Sequence, residues 1–162
     1  MPIPAAITNA AQNYEFNSGF LPKLVADLSP EEWLSHPDGT SNHIAWIVGH
    51  VVWTRERLLA RLGTEWSRPW LGLFARGAKC DGSAVYPAPD EMLDAWRDLS
   101  GLLPGVFNSV SEDALAELSA QGPPSTDGKV SGVVAFLAIH ETYHLGQASY
   151  LRSWLGHKGL MG

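Results

Sequence analysis

"AIHETYHLGQ", residues Ala138 to Gln147, sets two histidines four positions apart with a glutamate between them, inside an otherwise apolar run. A helix advances about 100° and about 1.5 Å per residue, so His140 and His144 share one face in adjacent turns. Around them Val133, Leu137, Ala148, Leu151 and Leu155 recur at threes and fours. That period predicts a helix over 131–155, closed by Gly156 and Gly159. The histidines therefore stand on the stripe that should be core. A buried imidazole without a partner is costly. Two imidazoles at this spacing can instead converge on one divalent cation at about 2.0–2.1 Å.

A third nitrogen is available upstream. In "SNHIAWIVGHVVWTRERLLARLG" (41–63) Ile47, His50, Val51, Thr54, Leu58 and Leu62 form a stripe, with Ser41 or Asn42 as cap and Gly63 as terminator. His50 lies on that inward stripe, beside Gly49, whose missing side chain lets another group approach closely. A satisfied core histidine is the ordinary explanation for any one of these rings. A metal explains His50, His140 and His144 together. His43 competes as third ligand but lies about 10 Å further along the axis, at the first turn, where exposure is expected. His36, in a turn, and His157, past the last helix, read as surface.

Two more helices complete the pattern. Ile7, Ala10, Ala11, Tyr14, Leu21, Leu24, Val25 and Leu28 mark the first, with Gly19 and Pro22 predicting a kink. "APDEM" opens the third, carrying Met92, Trp96, Leu99, Leu103, Val106 and Val110, with Pro104 casting doubt on its later part. "LSPEEW" after Ser29 and "SEDALAEL" after Ser111 read as short capped turns. Pro37, Asp38 and Gly39 form a turn, and "QGPPSTDGK" is loop. Residues 64–88 are a long connection with Trp66, Trp70, Phe74 and Tyr86, predicted to pack down as a cover. The expected fold is all-α: one four-helix-bundle domain over 1–162, with a long helix 2–helix 3 connection and short extra helical turns.

Composition bounds the function. The 162 residues carry net charge −6 and only 11 Lys and Arg, which counts against nucleic acid and against an anionic membrane surface. One cysteine, Cys80, excludes an internal disulfide and is consistent with the cytoplasm. Nothing near Cys80 in sequence activates it as a nucleophile. The opening residues do not read as a signal peptide, and no apolar run is long enough to span a bilayer.

His140-Glu141-Thr142-Tyr143-His144 also fits the HExxH pattern of zinc proteases. Those enzymes draw a third ligand from downstream, but position 150 is tyrosine and no acid follows Glu141. The stretches "IAWIVGHVVWTRERLL" (44–59) and "FLAIHETYHLGQASYLR" (136–152) instead resemble the DinB/YfiT-like superfamily of small metal-binding four-helix bundles. The resemblance puts that family's metal ligands on His50, His140 and His144. It implies a divalent ion, zinc or nickel, frequently a homodimer, and a small-molecule substrate. Some relatives are thiol-dependent transferases and some are hydrolase-like. The family name refers to DNA damage, but the acidic charge gives DNA contact no support.

Three protein nitrogens leave an open position, as in catalytic metal sites. An ion there can activate water for hydrolysis or present a low-molecular-weight thiol for transfer. Glu141, about 100° from the His140 direction, is a candidate acid/base. Gln147, on the face of His140, can hydrogen-bond a ligand histidine or the substrate. Tyr143 is a further candidate beside it, its ordinary reading being packing with a wet hydroxyl. The competing class is a non-catalytic, metal-stabilised stress-related bundle, which would need a fourth protein ligand.

Overall fold

The computed structural model describes residues 2–37, 42–119, 122–125 and 127–161. Six α-helices follow in order: α1 Thr8–Val25, α2 Pro30–Trp33, α3 Ile44–Arg61, α4 Pro89–Ser109, α5 Glu112–Ala116 and α6 Val130–Trp154. Helix α6 packs against α1 and α3, and α4 packs against the same two. The four long helices thus close a ring in the order α1–α6–α3–α4 around one continuous core. No strand forms among the described residues beyond a single antiparallel bridge between Leu118 and Lys129.

Helix ends follow local chemistry. Ser29 and Glu32 form a reciprocal capping box that starts α2. Gly63 (φ +85°) and Gly156 (φ +90°) take the left-handed conformation that closes α3 and α6. After α3, Thr64 N–H reaches back to Leu59 O at 2.8 Å. The start of α3 corrects the sequence reading. Its cap is His43, whose Nδ1 accepts from Trp46 N–H at 3.0 Å, and His43 is buried, not exposed. Burial pulls its imidazole down to about 4, with nearby His36 contributing. The Ser41 alternative, and Asp38 and Gly39 of the expected turn, lie outside the described residues.

The two interior prolines are absorbed. Pro22 removes a donor to Ser18 O, and the Trp96 indole N–H of α4 takes that carbonyl at 3.2 Å, so α1 is one helix from Thr8 to Val25. Helix α4 runs through Pro104 to Ser109 against expectation. An interior proline costs about 3 kcal/mol. Burying Val106 and Phe107 beyond it contributes about 1.5–3 kcal/mol each, which offsets that cost.

Helix α3, packed between α4, α6 and the long connection, leaves only Trp53, Arg57, Ala60 and Arg61 outside the buried set. The long connection packs down as expected: Leu71 and Phe74, in a 3-10 turn over Leu71–Phe74, are buried, and Trp66, Trp70, Cys80 and Tyr86 lean on the core.

The end of α6 is tied to α1 and α2. Buried Arg152 donates to Leu24 O at 3.0 Å and to both carboxylate oxygens of Asp27. His157 Nε2 lies 2.7 Å from Glu32 Oε1, and both His157 and His36, whose ring packs against His43, are half-buried where surface positions were expected. The Glu32 carboxylate raises the His157 pKa, and His157 in turn lowers that of Glu32. Arg152 holds Asp27 well below the usual carboxylate range. A raised histidine contributes stability below its unfolded pKa of about 6.5 and loses it as pH rises through the folded value. The lowered carboxylates contribute above about 4 and lose it as pH falls through their folded values. The clamp is therefore strongest between those limits. His157→Gln should lower the thermal midpoint near pH 6 and lower it less near about pH 9. An equal loss at both pH values would show that the His157 charge contributes nothing.

Candidate metal centre

Helices α3 and α6 carry His50, His140 and His144 to one place. One ring nitrogen from each lies within 4.8 Å of the other two. The ring centroids are 5.2 Å apart for His50–His140, 4.9 Å for His50–His144 and 4.4 Å for His140–His144. His140 Nε2 and His144 Nε2 face each other at 3.1 Å.

Hydrogen bonds choose the tautomers. His50 Nδ1 lies 2.8 Å from Phe74 O, and a carbonyl only accepts, so Nδ1 carries the proton and Nε2 keeps its lone pair. His144 Nδ1 lies 2.7 Å from Gln147 Oε1, with the same consequence. Gln147 Nε2 donates onward to the exposed Tyr143 hydroxyl at 3.3 Å. His140 Nδ1 is buried with no protein partner. Burial pulls the His140 and His144 imidazoles down to about 4, each helped by its neighbouring histidines. Burial also lowers His50, against the Phe74 carbonyl. Neutral rings with free inward nitrogens are the form that a divalent ion binds, and outer partners fix two of the three, His50 and His144. The donor set therefore fits a metal.

Gly49 makes the Phe74 contact possible. A Cβ there would meet the Phe74 ring at 2.3 Å. The close approach expected at this glycine is made by the cover segment, whose carbonyl then orients His50. Trp46 stacks on His50 at 4.8 Å and 12°, and Trp53 at 5.7 Å and 21°. Both were legible, at i−4 and i+3 from His50. Phe74, 24 residues away in an irregular segment, was not.

Glu141 was the candidate acid/base, and its surroundings are those of a core ion pair. It is buried and points to the bundle interior, where Arg55 Nε donates to Oε2 at 2.6 Å and Arg55 Nη2 to Oε1 at 2.9 Å. Asn17 adds a bond to Oε1 at 3.0 Å. Arg55 is further held by Ser100 Oγ at 2.7 Å and by the Trp96 ring, 3.4 Å from its guanidinium carbon. All the carboxylate's partners come from this network, which links α1, α3, α4 and α6. His43, the rival third ligand, is committed to its cap.

A cavity of about 630 Å³ opens beside His50 and His140, walled by Trp53, Phe136 and Leu137. A second, of about 540 Å³, is bounded by Tyr143, Gln147 and Tyr150 and reaches no histidine.

Three histidines on two adjacent helices of a four-helix bundle make a site that could hold a metal ion. The family model described as the DinB superfamily matches residues 17–148, and the chain belongs to that superfamily. No curated protein matches the sequence.

Two outcomes test this construction. Gly49→Val should displace Phe74, cost about 1–3 kcal/mol of unfolding free energy and weaken zinc binding about 10–100-fold. Undiminished zinc affinity in a calorimetric titration would separate the Phe74 carbonyl from the site. Glu141→Leu alone strands the Arg55 charge and should cost about 3–5 kcal/mol in urea unfolding. Adding Arg55→Met should recover much of that loss, whereas a Glu141 acting on substrate would leave stability nearly unmoved.

Proposed function

We propose that the chain is a metal-dependent enzyme acting on a small molecule, a thiol-dependent S-transferase with a divalent ion on His50, His140 and His144. The carrying observation is the convergence of three imidazoles, two of which, His50 and His140, line a cavity. A divalent ion there, zinc or nickel, supplies a Lewis acid that favours the thiolate of a low-molecular-weight thiol. Phe74 O and Gln147 hold the Nδ1 protons of His50 and His144 away from the reacting side. The apolar wall admits the electrophile and excludes bulk water. In the transfer a sulfur lone pair forms a carbon–sulfur bond, the bond to the leaving group breaks, and its electron pair departs with that group. The thiol proton passes to solvent through the cavity mouth.

Hydrolysis is the weaker reading because water activation calls for a general base. Among the described residues no carboxylate lines the cavity, and Glu141 is held by Arg55. A closed scaffold site is weaker because no fourth protein ligand joins the trio among the described residues. We read residues 1–162 as one domain working in the cytoplasm. No helix among the described residues is long and apolar enough to cross a membrane. Exposed Ile139, Tyr143 and Tyr150 on one face of α6 support a homodimer.

Elemental analysis of purified wild type should give about one ion per chain, and His144→Ala should give none. The same variant should lose all turnover in a panel of low-molecular-weight thiols against a chromogenic aryl halide. Retained metal with unchanged turnover would remove the proposal.

A further inference from the structure

The three histidines are held unequally. His50 is pinned at Nδ1 by Phe74 O at 2.8 Å and stacks with two indoles, Trp46 at 4.8 Å and Trp53 at 5.7 Å. His144 is pinned at Nδ1 by Gln147 Oε1 at 2.7 Å, and Gln147 is itself tied to the Tyr143 hydroxyl. His140 has no such anchor among the described residues. Its Nδ1 is buried without a protein partner. Besides the other two histidines, its ring neighbour is Phe136, stacked at 6.0 Å and 30°. Such a contact is non-directional and fixes a ring's orientation less firmly than a hydrogen bond. Exposure divides the trio in the same way: His50 and His144 are buried, and His140 is half-buried. His140 also lines the cavity of about 630 Å³, whereas His144 does not. The least anchored ring therefore stands where a ligand arrives.

We infer that His140 is the exchangeable arm of this site: His50 and His144 form a fixed pair for the ion, and an incoming sulfur donor takes the place of His140 on the cavity side. A neutral imidazole that offers Nε2 to a cation carries its proton on Nδ1. On His50 and His144 that proton has an acceptor. On His140 it would be a buried donor with none, which makes this ring the most costly of the three to hold in its ligating form. An outer partner of this kind is worth about 10–100-fold in metal affinity. In the exchange one sulfur lone pair replaces one nitrogen lone pair, the thiol proton goes to solvent, and nothing is oxidised. The inference rests on the proposed function for the ion and the thiol. The inequality of the three rings stands without either.

Two measurements test it. In metal-free, full-length wild type, long-range proton–nitrogen correlation NMR should show His50 and His144 each as a single Nδ1–H tautomer, and His140 as the Nε2–H form or an exchanging mixture. Three rings fixed alike as Nδ1–H would overturn the inference. In competition with a chromophoric chelator, His140→Ala should keep about 10–100-fold more zinc affinity than His50→Ala or His144→Ala. Equal losses in the three variants would overturn it as well. On the cobalt-loaded protein, 2-mercaptoethanol should bring the visible spectrum of wild type onto that of His140→Ala with the same thiol. A wild-type spectrum that stays distinct would show that His140 is retained, against the inference. A protein that takes up no ion removes the proposed function, whereas an ion held by three equal rings removes this inference alone.

Discussion

The buried ion pair between Arg55 and Glu141 is the constraint on which the rest depends. A guanidinium and a carboxylate with almost no solvent are tolerated only when nearly every donor and acceptor is matched. Here the matching groups come from all four long helices: Asn17 and Ser18 of α1, Arg55 of α3, Trp96 and Ser100 of α4, and Glu141 of α6. Sliding any one helix by a residue strands a charge. An apolar seam would tolerate such a slip far better, because dispersion and burial are non-directional. The pair thus sets register, and register is what the histidines require. Arg55 lies five residues beyond His50, and Glu141 directly follows His140.

This division of labour explains how one short motif holds two environments. Successive helical positions point about 100° apart, so His140 faces the cavity side while Glu141 enters the core. The histidine face stays neutral because its rings are desolvated, and the protons of His50 and His144 are held by Phe74 O and Gln147. The interior face stays charged because its charges are paired. Each face would be unstable in the other's setting.

Much of this was legible in the sequence. The three-four spacing of apolar residues gave the long helices, and the inward placement of His50, His140 and His144 gave the cluster. Other features were hidden. Proline at 104 reads as a break because local propensity ignores the tertiary burial that overrides it. His43 reads as exposed because a first-turn position usually is, whereas its ring nitrogen caps the helix. Glu141 reads as an active-site acid because the pattern around it has that meaning elsewhere, and its partner Arg55 is 86 residues away. Spacing along one helix reports direction. It does not report what waits across the gap.

The contact between Gly49 and Phe74 carries a consequence for divergence. The orientation of one ligand ring is delegated to a carbonyl in an irregular segment outside the bundle. Lengthening or shortening that segment would act at the histidine cluster without altering a single helix. In this chain, therefore, the stretch between the second and third long helices is not an interchangeable tether. Descendants that rewrite it re-aim His50, and those that keep the His50 orientation are bound to keep a bare backbone opposite an aromatic ring.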